Sequence, residues 1–175
     1  MRSSVIFLGV ILGRMGEAVL SAPGGCELGP RPIDLHLSSI RALGGRVDET
    51  GGALGCTGNH IAGTDIVLSI PSVGATENTM LAAVAAQGVT TITNAAREPE
   101  IVDLQVFLRA MGADVRGAGS SMITIRGGLP LHGAEHTVMG DRIVAATYLA
   151  AAAAAGGEIE VTGADCRHLS TVTAV

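Results

Sequence analysis

The sequence contains no lysine and no tryptophan, and only one tyrosine and two phenylalanines among its 175 residues. Without large rings, the apolar 47% of the chain must build its core from Ala, Val, Leu and Ile, which pack in thin layers between closely spaced elements. All 11 basic residues are arginines and the formal charge is −5. A nucleic-acid-binding surface, which calls for clustered Lys and Arg, is not expected. Cysteine is scarce, with three in the chain. Cys26, Cys56 and Cys166 lie far apart and form no CxxC pair, which suggests neither a disulfide scaffold nor a zinc ribbon. Cys56 with His60, and Cys166 with His168, are incomplete as metal sites. Reduced thiols in a cytoplasmic protein are the simpler reading.

Long apolar runs are missing too. The alanine-rich run 145–155 is too short to span a bilayer, which takes ~20 residues. Residues 1–22 have some features of a signal peptide: Arg2, an apolar run over 5–12, then Leu20-Ser21-Ala22. Arg14 and Glu17 interrupt that pattern, and the segment also fits an internal repeat, which a disposable leader would not. Neither a leader nor a membrane association is expected.

What abounds is glycine, 25 residues against a usual ~7%, which implies many tight turns. The glycines punctuate a repeat. Three stretches read as apolar helix, glycine, short β-rich segment and polar loop: 5–12 then 16–21, 80–86 then 88–93, and 148–155 then 157–162. The glycine after each apolar run suits a helix C-cap. Val19, Ile92, Ile159 and Val161 suit half-buried strands. A second helix follows in the first two copies, one on Ile33, Leu37, Ile40 and Leu43, the other on Ile101, Leu104, Phe107, Leu108 and Met111, each with one apolar stripe. Each runs into a strand, Arg46-Val47 and Asp114-Val115. Further strands are expected at 122–125 and 65–69. The unit is therefore α-β-α-β-β with a leading strand, and the helices near Leu8 and Leu81 should be buried almost all round. The third copy stops at Val175 inside its expected second helix, which suggests truncation.

The first copy carries the longer loop between strand and second helix, over 22–32, and an insertion in one copy of a repeat points to function. Pro23-Gly24-Gly25-Cys26 puts a thiol on a glycine-rich turn with nothing apolar beside it. Arg31 follows, near the start of the helix containing Asp34 and Leu35. A guanidinium and a helix N-terminus both favour an anion and lower a thiol pKa. An incidental exposed cysteine is the plain alternative.

Pro23-Gly24-Gly25-Cys26-Glu27-Leu28-Gly29-Pro30-Arg31-Pro32-Ile33-Asp34-Leu35-His36 resembles the catalytic loop of the UDP-N-acetylglucosamine 1-carboxyvinyltransferases, members of the enolpyruvyl transferase family. Pro71-Ser72-Val73-Gly74-Ala75-Thr76 looks like that family's nucleotide-contacting loop. Asn94-Ala95-Ala96-Arg97-Glu98-Pro99-Glu100-Ile101-Val102-Asp103 is similar to another of its signatures, and Met1-Arg2-Ser3-Ser4 to the start of a helix in its middle. Asp141-Arg142-Ile143 resembles a further signature, followed here by Val144 and Ala145 where an acid and a glycine are usual. The resemblance runs through the whole chain.

It implies an α/β fold, the inside-out α/β barrel of enolpyruvyl transferases, incomplete here. Residues 1–138 would supply most of one domain, two of its three units, and 139–175 would begin a second. It further implies transfer of the enolpyruvyl group of phosphoenolpyruvate to the 3-hydroxyl of UDP-N-acetylglucosamine, the first committed step of peptidoglycan synthesis, with no cofactor or metal. Cys26 would be the general acid and the target of the epoxide fosfomycin. Arg31 would sit at the phosphate groups and Arg2 elsewhere in the substrate site, with Arg31, Pro32, Ile33, Asp34 and Leu35 at the uridine end. Ser72, Val73 and Gly74 would meet the diphosphate, in a substrate-binding segment that also takes in Pro71 and Ile70, the latter replacing a basic or aromatic residue frequent there. Glu98 and Glu100 lie near the family's moving loop, but helix capping is the preferred reading for both. The family's Lys-Asn pair and its catalytic aspartate find no match, so parts of the fold that lie before Met1 and after Val175 are expected partners. Alternatives are a 5-enolpyruvylshikimate-3-phosphate synthase-like enzyme, which lacks the Pro-Gly-Gly-Cys loop, and a non-catalytic, partner-binding remnant.

Overall fold

A computed structural model describes residues 2–21, 33–49 and 53–174. Cys26, Arg31 and Pro32 lie outside the described residues. The chain divides into two compact units, Met1–Glu135 and His136–Val175.

The first unit opens with a 3-10 turn, Arg2–Ile6, followed by α1 (Phe7–Met15) and β1 (Glu17–Ser21). Then come α2 (Asp34–Ala42), β2 (Arg46–Asp48) and β3 (Ala53–Thr57). The second copy of the repeat is β4 (Asp65–Val67), α3 (Val73–Ala85), β5 (Gly88–Thr93), α4 (Pro99–Ala110), β6 (Asp114–Arg116) and β7 (Met122–Gly127). The sheets repeat one another: β1-β3-β2 is antiparallel throughout, and β4-β5-β7-β6 has the same order with β4 added parallel to β5. The described residues form two sheets with helices between them rather than a closed barrel.

Helix α3 is the centre of the unit, packed on α1, α2, α4 and the second sheet. It is buried on nearly every side, from Ala75 through Met80 to Val84, as its apolar sequence predicts. Helix α1 differs from expectation. Leu8, Gly9 and Leu12 are buried, whereas Phe7 is 58% and Met15 70% exposed, so only one stripe meets α3. The contact is close because α1 turns glycines toward α3. A β-carbon at Gly9 would stand 2.4 Å from the carbonyl oxygen of Asn78, and one at Gly13 would stand 2.6 Å from Ala85 Cβ. The Gly9 N–H, within hydrogen-bond reach of Asn78 Oδ1 at 2.8 Å, adds a buried polar tie between the helices.

Strand burial alternates as a half-buried sheet requires. Ile66, Thr90, Ile92, Val115, Ile123 and Ile125 face the helices. In β1 the phase is opposite to that expected. Ala18 is buried and Val19 is 73% exposed, because pairing with β3 sets Ala18 opposite the buried Cys56. Gly16 caps α1 as expected, with φ 77° and its N–H donating to Leu12 O at 2.9 Å. Gly88 does not cap α3. That helix ends at Ala85, is capped by Ala86, and Gly88 opens β5.

The second unit contains α5 (Arg142–Ala155), a 3-10 turn (Cys166–Leu169) and α6 (Ser170–Thr173). Asp141 caps α5, its Oδ1 accepting from the N–H groups of Ile143 and Val144 at 2.8 and 3.1 Å. The strand expected over 157–162 is not formed. Among the described residues this unit offers no second strand for it to pair with, and Ile159 is 41% exposed.

Candidate functional site

Two helix N-termini from successive repeats meet in the first unit. Ile33 is the N-cap residue of α2, and Asp34 and Leu35 form its first turn. Ser72 is the N-cap of α3: its extended backbone (φ −91°, ψ 121°) turns the side chain back to accept the Ala75 N–H at 3.3 Å. The Thr76 N–H donates to Ser72 O at 2.9 Å. Among the described residues the N–H groups of Val73 and Gly74 meet no acceptor. These are the orphan donors of a helix start, at the positive end of a 13-residue helix. Ile70 is 61% exposed and Pro71 is exposed, so both stand at the rim.

The imidazole of His36, in the first turn of α2, closes the gap between the two helix starts. A β-carbon at Gly74 would lie 3.2 Å from His36 Cε1 and 3.4 Å from Nε2, a tight approach that a shift of the ring by a few tenths of an ångström would relieve. His36 Nδ1 is buried without a hydrogen-bond partner. Burial lowers the His36 pKa, with the Asp34 charge opposing, so the ring is neutral near pH 7. His36 was not among the site residues expected from sequence. Its signal was available in the spacing Ile33, His36, Leu37, which sets a histidine on the buried stripe of α2.

Loop 94–98 is tied to the same end of the unit. Asn94 has φ 58°, and its Nδ2 donates to Leu68 O at 2.8 Å. The Ala96 N–H donates to Thr76 Oγ1 at 3.0 Å, and Thr76 Oγ1 in turn donates to Ser72 O at 2.8 Å. Glu98 is the N-cap residue of α4, yet its carboxylate accepts from the neighbouring Arg97 N–H at 2.8 Å instead of from the helix. Glu100 lies in the first turn of α4. Burial, and then the Glu100 charge, raise the pKa of Glu77 on α3.

The structure thus brings Ile33, Asp34 and Leu35 together with Ser72, Val73 and Gly74, one group on α2 and one on α3. Arg2 opens the 3-10 turn that packs against α3. Neither 33–36 nor 70–74 contains an arginine or lysine, so these segments offer N–H donors and helix ends to a ligand, and no fixed cation. No helix among the described residues is long and apolar enough to cross a membrane.

The family model of EPSP synthase (3-phosphoshikimate 1-carboxyvinyltransferase) matches residues 1–175. The chain belongs to this family of enolpyruvyl transferases. Within it, the chain is 55% identical over 175 residues to UDP-N-acetylglucosamine 1-carboxyvinyltransferase 1 of Symbiobacterium thermophilum, covering 99% of this chain and 40% of that protein. It is 52% identical over 169 residues to UDP-N-acetylglucosamine 1-carboxyvinyltransferase 2 of Caldanaerobacter subterraneus subsp. tengcongensis, covering 97% of this chain and 40% of the relative. The chain therefore spans about 40% of the length of the curated relatives it matches. The crystal structure of the enolpyruvyl transferase NikO from Streptomyces tendae matches with a TM-score of 0.73 at 25% identity, over 94% of this chain and 38% of that one. The α/β architecture expected from sequence is thus that of an enolpyruvyl transferase.

Proposed function

We propose that this chain carries the nucleotide shelf and the acid thiol of a UDP-N-acetylglucosamine 1-carboxyvinyltransferase. The observation that carries this reading is the 55% identity, through the whole chain, to a protein of that name. The paired helix starts support it, since free N–H groups at a helix N-terminus suit a diphosphate. In the reaction, C3 of phosphoenolpyruvate takes a proton and the 3-oxygen of the sugar bonds to C2, losing its own proton to a base. The bond from C2 to the phosphate oxygen then breaks, C3 gives up a proton, and the enol ether and inorganic phosphate are released. Cys26 is the general acid at C3, and Arg2 and Arg31 balance the phosphate charge. Ile33, Asp34 and Leu35 face the uridine. Glu98 and Glu100 shape the start of α4 and do not enter the chemistry. No cofactor is required, and the product serves peptidoglycan synthesis.

Equilibrium dialysis of the chain against labelled UDP-N-acetylglucosamine and, separately, shikimate 3-phosphate tests the substrate class. Binding of the sugar nucleotide alone is expected, with no phosphate released from phosphoenolpyruvate, because the chain has no lysine to stand in for the Lys-Asn pair. Preference for shikimate 3-phosphate, or binding of neither, would overturn the reading.

A further inference from the structure

We propose that Arg97 is a phosphate-binding cation of the substrate site and that Thr76 is the residue that positions it. The inference rests on the reading under Proposed function and adds a third arginine to Arg2 and Arg31, from the segment that precedes α4.

The backbone before Arg97 is held from three sides. Asn94, the one non-glycine residue with positive φ among those described, donates through Nδ2 to Leu68 O at 2.8 Å. The Ala95 N–H donates to Ser121 O at 3.1 Å and the Ala96 N–H to Thr76 Oγ1 at 3.0 Å, and both alanines are buried. Thr76 is fully buried and passes its own hydroxyl proton to Ser72 O at 2.8 Å. Two hydrogen bonds therefore join the N-cap residue of α3 to the residue before Arg97.

Beyond this clamp the chain turns outward. The Arg97 side chain is exposed, and among the described residues its guanidinium meets no carboxylate. The Glu98 carboxylate is engaged with the Arg97 N–H instead of the guanidinium. For stability this is a poor place to keep a cation. Arg97 stands just before α4 and one residue past the tie to the first turn of α3, so the positive ends of two helices lie beside it. A bound phosphate reverses that balance. Its charge is attracted by both helix ends and by the guanidinium, whose planar fork suits phosphate oxygens. A fixed backbone under an uncommitted guanidinium is the arrangement of a cation held ready for an anion, and Thr76 fixes the backbone.

Isothermal titration of the full chain with UDP-N-acetylglucosamine and, separately, with phosphoenolpyruvate tests this and identifies whose phosphate is met. Arg97→Gln should bind at least one of the two about tenfold more weakly, the equivalent of a hydrogen bond to a charged group. Its Tm should be unchanged or higher, because a charge repelled by two helix ends has gone. Thr76→Val should weaken binding of the same ligand by a similar factor, and Thr76→Ser, which keeps the hydroxyl, should stay within about threefold of the parent. In the Arg97→Gln background Thr76→Val should add nothing further, since the two act as one unit. Unchanged affinity of Arg97→Gln for both ligands would overturn the inference and leave the substrate reading standing. Losses that simply add in the double variant, or a lower Tm for Arg97→Gln, would overturn it too. If the parent binds neither ligand, the substrate reading falls and this inference with it.

Discussion

Replacing Gly9 by alanine tests the close packing of α1 on α3, and the sign of the effect is informative. In an isolated helix the change would help by about 1 kcal/mol, since glycine is a poor helix former. In the folded unit the new methyl would meet the Asn78 carbonyl oxygen at 2.4 Å and Asn78 Oδ1 at 2.7 Å, the first of them backbone that cannot swing aside. Overpacking of this kind costs about 1–3 kcal/mol, and parting α1 from α3 also removes the Gly9–Asn78 hydrogen bond, about 1 kcal/mol. The net expectation is a loss of about 2 kcal/mol. For a unit of this size that corresponds to a fall in Tm of roughly 8 °C. Calorimetry on Gly9→Ala, with Gly133→Ala as the control, makes the measurement. Gly133 has open space within 4 Å, and alanine there should leave Tm unchanged or raise it slightly. A higher Tm for Gly9→Ala would mean that propensity outweighs contact and that α1 does not lie against α3 at this distance.

Two further expectations concern the three thiols and Glu77. Iodoacetamide should label Cys26 first, then the exposed Cys166, and spare Cys56 until denaturant is added. Cys56 is buried, and burial pushes its thiol up, away from the reactive thiolate, against the opposing pull of Arg41; peptide mapping that finds Cys56 modified as fast as Cys166 in native buffer would contradict this. Glu77 holds its proton more tightly when folded, so its contribution is present below the unfolded value of ~4.3 and is lost as pH rises through the raised folded value; Glu77→Gln should flatten that decline and exceed the parent in stability at pH 7, and urea titrations showing a steeper decline would contradict it.

Most of the secondary structure was legible because the repeat states it twice. Helices α2 and α4 follow their apolar stripes, and β5, β6 and β7 lie where alternation put them. The departures come from partners that lie far along the chain. Val19 points outward because β3 fixes the register of β1, and no local pattern reports that. The segment 157–162 has the composition of a strand, but a strand needs a neighbour. The residues of the shelf were legible as motifs, whereas their meeting was not. Gly74 and His36 sit in different repeats, and only the packing of α2 on α3 brings an imidazole to a glycine.

That seam has a consequence for the energetics of the unit. One half of the shelf belongs to the first repeat and the other half to the second, while each sheet is closed within its own repeat. A small molecule held by both helix starts would add a bridge between two blocks joined by packed side chains, the Gly9–Asn78 hydrogen bond and the connecting chain. Its binding energy would then oppose the parting of the repeats directly. Opening at the seam and release of the molecule become one event, so affinity at the shelf and cohesion between the repeats are two measures of a single equilibrium.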